Sequence, residues 1–217
     1  MSEKLSKKEK LVYDIIQDYF KKKRPIEIKK LVPLITSRLS RQSIDINSNK
    51  EKLIIKSLKK KNLIVEGSIL TKDDILKNET RKKIYEFICK NSAVYFHQIM
   101  KGLDLPTHSV IWHINFLHLF NFIERIKIEK HYNHYIYFDK KLDSQEAKII
   151  YFTNHKKCKR IIEHLKNENE GCTKTQLSKE LGMHPNTIKK YINELEVLNI
   201  VSKTKSSNKS LYYLPSE

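Results

Sequence analysis

The sequence predicts a mostly α-helical chain with small β-hairpins, assembled from one small unit used three times. Three observations carry this. Residues 81–123, displaced by 78 positions, fall on residues 159–201 without a gap. Ile84 meets Ile162, Phe87 meets Leu165, Leu103 meets Leu181 and Leu105 meets Met183. Val110 meets Ile188, Ile114 meets Ile192, Asn115 meets Asn193, Leu117 meets Leu195 and Asn121 meets Asn199. A repeat of this length is a domain used twice, not a solenoid unit. Second, apolar residues recur at helical spacing and then give way to short alternating runs. Third, 217 residues with 39% hydrophobic side chains, 4 Gly and 5 Pro can fill two or three small cores, and are too poor in Gly and Pro for a low-complexity chain. The expected units are 1–77, a divergent copy, then 78–142 and 143–217.

In the first unit Leu11, Val12, Ile15, Ile16, Tyr19 and Phe20 form a helical stripe over residues 9–22. Residues 21–25 force a turn. Ile28, Leu31, Val32 and Ile35 suggest a second helix, which Pro33 must kink or open. After a polar stretch at 40–47, an Asn47 or Ser48 cap starts a third helix through Leu53, Ile54 and Leu58. Residues 63–65 and 68–70, joined by Glu66-Gly67, read as a tight hairpin. Thr71 to Asp74 is a capping box candidate.

In the second unit a helix is expected over 78–90, and two more flank residues 102–106. Residues 122–128 and 134–138 read as hairpin arms joined by 129–133. The third unit starts near Asp143, with helical stretches at 144–153 and 156–168. Residues 173–195 then read as helix, short turn through Gly182, and second helix, opened by a capping box from Thr173 to Gln176. A last hairpin pairs 200–204 with 211–214 around a loop at 205–210.

The formal net charge is +18, with an isoelectric point near 9.6. Abundant Lys, Asn and Ile suit an AT-rich genome, but that bias does not explain why acids lag behind. The net is +10 over 1–77, +4 over 78–142 and +4 over 143–217. Such an excess favours a polyanion. A membrane surface is disfavoured, since no lipid signal or basic amphipathic helix with exposed aromatics is evident. No apolar run reaches the ~18 residues of a membrane span. The charged first ten residues lack a signal-peptide core, and three widely spaced Cys fit a reducing compartment. The expected location is cytoplasmic and nucleoid-associated.

The chemistry of the third unit sharpens this. Ile188, Ile192 and Leu195 share one helix face, and Asn186, Lys189, Lys190 and Asn193 lie opposite. One face packs on a core and the other offers donors and acceptors. An α-helix fits the DNA major groove, where Asn can bind adenine through two hydrogen bonds and Lys can reach guanine or phosphate. Lys203, Lys205 and Lys209, in the final hairpin and its loop, suit phosphate contact. The pattern resembles the winged helix-turn-helix superfamily, and specifically archaeal multi-winged-helix transcriptional regulators. Residues 109–117, Ser-Val-Ile-Trp-His-Ile-Asn-Phe-Leu, are similar to the T-V-x-W-H-L-x-x-L recognition-helix signature of those proteins. Leu181-Gly-Met, Thr187-Ile, Leu195 and Asn199-Ile-Val in the third unit resemble the wider superfamily pattern. The likeness spans about residues 78–214, and the first 77 match by layout alone.

The resemblance implies sequence-specific binding of double-stranded DNA and control of transcription, with Asn186, Thr187, Lys189, Lys190 and Asn193 as the third-unit reading helix. The corresponding second-unit face is His108, Ile111, Trp112 and Asn115. It departs from the pattern, because Ile111 and Trp112 replace Lys189 and Lys190. That face either reads thymine methyls or packs against another domain or subunit. Lys130 and His131 are the second-unit wing candidates. Lys21, Lys22, Lys23 and Arg24, with Lys52 and Lys56, are first-unit phosphate candidates; the run at 21–24 reads equally as a solvated helix end.

Two sharper chemistries are weighed and set aside. Metal binding would draw on His131 with His134, or His155 with Cys158 and His164, but zinc needs three or four convergent ligands and no CxxC pair is present. Catalysis has no phosphate-gripping glycine loop, nucleophile elbow or paired carboxylates to work with. The expectation is a non-enzymatic protein without cofactor or metal, whose partner is double-stranded DNA, a homodimer being one further option. Two alternatives stand beside it: an architectural protein that coats DNA, and a winged-helix assembly module that does not read DNA.

Overall fold

A computed structural model of the chain describes residues 5–21, 27–42, 44, 47–128, 134–168, 170–206 and 209–215. The expectations placed on Lys22, Lys23, Arg24, Lys130 and His131 lie outside the described residues. By its contacts the chain divides into two compact units: Met1–Phe87 with Ile99–Glu124, and Ile88–Gln98 with Arg125–Glu217.

The first unit opens with three amphipathic helices, α1 (Lys7–Phe20), α2 (Ile28–Arg41) and α3 (Ser48–Lys60). Ser6 and Glu9 form a reciprocal capping box on α1, and the Asn47 side chain caps α3. Their inward faces build one core from Val12, Ile16, Phe20, Leu31, Ile35, Leu39, Ile55 and Leu58. Pro33 sits inside α2, not at its start, and denies the Lys29 carbonyl its helical partner. The hairpin expected at 63–70 is reduced to a single antiparallel bridge, Ile64 with Thr71, beside a turn at Gly67. Asn62 takes a left-handed conformation (φ 50°) immediately before the apolar run, so too few extended residues remain for a ladder.

Four more helices follow: α4 (Lys72–Ile75), α5 (Glu79–Asn91), α6 (Phe96–Leu103) and α7 (Thr107–Leu119). Thr71 and Asp74 form the expected capping box. Gly102 lies in the last turn of α6 and not in the loop, so the turn is Asp104 to Pro106. Its role is steric, since a Cβ there would stand 2.4 Å from the Phe87 ring.

In the second unit, β1 (Val94–Tyr95), β2 (Ile123–Ile128) and β3 (His134–Asp139) form an antiparallel sheet in the order β1-β3-β2, with Val94 opposite Tyr137. The two-residue strand β1 is too short to show in the sequence. Then come α8 (Ser144–Asn154), α9 (Lys156–Lys166), α10 (Lys174–Leu181), α11 (Pro185–Val197), β4 (Ser202–Ser206) and β5 (Lys209–Tyr213). Their core joins Phe152, Cys158, Ile161, Leu165, Leu177, Ile188, Ile192, Leu195, Val201 and Tyr212.

The 78-residue offset survives into three dimensions. It carries α6 onto α10 and α7 onto α11, residue for residue at both ends. It carries left-handed Asp104 onto left-handed Gly182, and left-handed Asn121 onto left-handed Asn199. Across α6–α7 and α10–α11, helix ends, turns and buried positions therefore repeat together.

Candidate nucleic-acid interface

Helix α11 is set by its own sequence. Gly182 (φ 60°) ends α10 in the left-handed region, which a residue without Cβ enters cheaply. Arg160 donates to the Leu181 carbonyl at 2.7 Å, and the Ser178 hydroxyl to the Met183 carbonyl at 2.6 Å, so the turn has its polar groups met. His184 caps α11 through Nδ1, which accepts from the Asn186 amide, and Pro185 takes the first position, where no N–H is required. Ile188, Ile192 and Leu195 are buried, which turns Asn186, Lys189 and Asn193 to solvent. Thr187 and Lys190 are half-buried at the flank of this stripe.

Beside α11 lies a cleft of about 940 Å³ between the start of α10 and the hairpin β4–β5, lined by Lys174, Gln176, Lys203, Lys209 and Tyr212 among others. Lys203 and Lys205 are exposed on β4 and Lys209 on β5, with Lys203 opposite Tyr212 and Lys205 opposite Ser210. Lys205 and Lys209 thus belong to the ladder, and not to the loop the sequence suggested. The strands extend further because the polar residues at the tip carry no apolar pattern by which to trace them. Lys174 and Lys203 stand 5.1 Å and 5.9 Å from the Tyr212 ring centre.

This wall is electrostatically tense. Burial and then the charge of Lys203 push the Lys174 ammonium below its ordinary pKa. Lys190 is lowered too, by burial and then by Lys157. A partly buried cation beside a second one is relieved by an incoming anion. Lys174 and Lys157 were not singled out in the sequence. Lys174 could have been, since it is the first residue after a capping Thr, and cationic side chains there face anything drawn to the helix N-terminus.

Lys174 also donates to Asn193 Oδ1 at 2.8 Å. The two side chains therefore form one unit, and Asn193 must release that bond before it can make a paired contact to a base edge.

Helix α7 presents His108, Ile111, Trp112 and Asn115 to solvent, as the repeat requires. Ile111 is 48% and Trp112 52% exposed. The inner side of Trp112 is occupied: its ring lies 4.7 Å from Phe116 and 4.8 Å from His113, with the Arg81 guanidinium 5.2 Å away. Arg81 is 1% exposed, lies 4.6 Å over Phe116 and donates to the Ile75 carbonyl at 2.9 Å. In the first unit, Lys21 ends α1 paired with Asp18 of the same helix at 2.7 Å, and Lys52 and Lys56 are exposed on α3.

Residues 157–201 match the family of winged helix-turn-helix DNA-binding domains. The chain is similar to an uncharacterised HTH-type transcriptional regulator of Methanocaldococcus jannaschii, 28% identical over 147 residues, which is 68% of this chain and 36% of that protein. The chain thus spans little more than a third of that relative's length. Among solved structures it is similar to the mRNA-binding domain of elongation factor SelB from E. coli in complex with SECIS RNA, at 10% identity, over 64% of this chain and 99% of that one. The TM-score is 0.27, a likeness too low to bear on function. No helix among the described residues is long and apolar enough to cross a membrane.

Proposed function

We propose that this chain, which carries a winged helix-turn-helix DNA-binding domain at residues 157–201, binds double-stranded DNA in a sequence-specific way and regulates transcription. The observation that carries the reading is the pairing of an exposed polar stripe on α11 with the lysine-lined cleft beside it. Asn186, Lys189 and Asn193 enter the major groove. Lys174, Lys203, Lys205 and Lys209 hold the flanking phosphates. Residues 1–77 and 78–142 are further winged copies in tandem, and residues 1–77 add phosphate contacts through Lys52 and Lys56. No bond is made or broken, so the protein acts without catalysis.

Two experiments test this. Footprinting on genomic fragments gives discrete protected sites for a regulator, continuous coating for an architectural protein, and no protection for an assembly module. Two-fold-symmetric footprints would extend the reading to a homodimer. Titration against salt should give a log–log slope of roughly −4 or steeper, because each neutralised phosphate contributes about −0.9. A flat salt response removes the electrostatic account.

A second reading is favoured by one feature. Ile111, Trp112 and Leu119 form an apolar exposed face on α7, which suits a protein surface better than phosphate.

A further inference from the structure

Behind α11, three side chains of different chemistry converge from three separate places in the second unit. His164 comes from the last turn of α9, Cys172 from the connection to α10, and Glu180 from the last turn of α10. The imidazole nitrogen, thiol sulfur and carboxylate oxygen they offer all lie within 4.8 Å of one another. His164 Nε2 stands 2.7 Å from Glu180 Oε2. Yet Nε2 is buried and no acceptor lies along its hydrogen-bonding direction. An isolated ion pair would align the two groups. A buried nitrogen aimed elsewhere needs another explanation, and an ion is one of the few that serve.

We propose that His164, Cys172 and Glu180 form a zinc site. A thiolate, an imidazole and a carboxylate are the mixed donors Zn²⁺ takes, at about 2.3, 2.0 and 2.1 Å. Donors around a tetrahedral zinc are about 3.3–3.8 Å apart, so small rotations of exposed Glu180 and half-buried His164 complete the site. On binding, the thiol proton passes to water and the sulfur coordinates as thiolate. Water takes the fourth position, because Glu180 opens to solvent.

The backbone holds Cys172 in readiness. Its N–H donates to the Tyr212 carbonyl at 2.8 Å and its carbonyl accepts from the Tyr212 N–H at 2.9 Å. Gly171 (φ 76°) lets the strands approach, as a Cβ there would lie 2.9 Å from the Tyr212 oxygen. Burial, and then the carboxylates of Glu168 and Glu180, push the Cys172 thiol up, so without a bound cation it stays protonated. The sequence hides the site because its ligands are eight residues apart in each step, and no compact Cys/His box forms. Of the candidates weighed from sequence, only His164 belongs to it. Cys158 is not among the three side chains that converge.

The test is Co²⁺ titration of the reduced, metal-stripped full chain. The expected result is one Co²⁺ per chain, with a sulfur-to-cobalt charge-transfer band and the intense visible bands of a four-coordinate ion, both erased by Zn²⁺. Cys172→Ser should lose the charge-transfer band and Cys89→Ser should keep it. Since Cys172 is buried, Glu180→Gln provides the independent arm: folded by circular dichroism, it should bind Co²⁺ at least about tenfold more weakly. Failure to bind stoichiometrically overturns the site, as does a charge-transfer band that survives in folded Cys172→Ser, or affinity unchanged in Glu180→Gln.

Discussion

Helices α7 and α11 hold the same place in two copies of one unit, yet turn different chemistry outward. Val110, Ile114 and Leu117 are buried in one, and Ile188, Ile192 and Leu195 in the other. The outward positions have diverged: Ile111 and Trp112 stand where α11 has Lys189 and Lys190, and Phe116 where it has Glu194. The largest change lies beneath. Arg81 is buried under Trp112 and Phe116, whereas the helices before the turn run one residue out of the 78-residue offset: α5 buries Arg81, Ile84 and Ile88 where α9 buries Cys158, Ile161 and Leu165, so a small thiol stands in the place of the guanidinium. The inward pattern makes the fold, and the outward pattern is free to be a reading face in one copy and a packing face in the other.

Matched substitutions break or sharpen that contrast. Arg81→Ala should cost about 3 kcal/mol, since it strips two aromatic rings of their partner and leaves the Ile75 carbonyl unpaired. Cys158→Ala, which removes one small buried thiol, should cost less, about 1 kcal/mol. Thermal unfolding followed by Trp112 emission measures the first, and circular dichroism the second. Equal losses would mean that the two copies are built alike after all.

Asparagine occupies the same position in both helices. Asn193→Ala should cost about 1–3 kcal/mol on a preferred duplex and far less on scrambled DNA. Asn115→Ala should cost less than about 0.5 kcal/mol on either. Competition binding with both duplexes decides it. A loss on both alike moves specificity away from α11.

The left-handed turn position gives a smaller contrast. Gly182→Ala places a Cβ at φ 60° and should destabilise by about 1 kcal/mol. Asp104→Gly should stay within about 0.5 kcal/mol, because relief at φ 50° is offset by a freer unfolded chain. Chemical denaturation resolves the pair.

The mildest test is pH. Burial and then Arg81 lower the pKa of His113 below the ordinary 6.5. The folded state thus refuses a proton that the unfolded chain accepts. The stabilisation is complete above pH 6.5 and drains away as pH falls toward the lowered folded value. Its counterpart in α11 is Tyr191, which has no imidazole. Acid should therefore shift Trp112 emission, 4.8 Å from His113, and His113→Phe should flatten that response.

The sequence was most legible where two signals coincided. Around α10 and α11, apolar spacing, a capping Thr173 and Gly182 all agree, and the helices appear where expected. Reading failed where one signal stood alone. Residues 63–70 look like strands by composition, but left-handed Asn62 and the turn at Gly67 leave one bridge. The interface was half legible: the polar stripe of α11 follows from periodicity, whereas Lys174 reaches Asn193 across nineteen residues by tertiary packing alone. His164, Cys172 and Glu180 were hidden for the same reason.

Arg81 has a consequence for the chain while it is still folding. Two stretches whose helices share ends and buried positions invite each other's segments to dock during assembly, a characteristic error of repeat proteins. Helix α7 docked in the wrong copy would set Trp112 and Phe116 over Cys158, whose thiol cannot replace a buried guanidinium. Helix α11 docked in the other would bring Lys190 and a half-buried Glu194 to Arg81, and so remove its aromatic cover. The mismatch disfavours an exchange of helices between the two stretches.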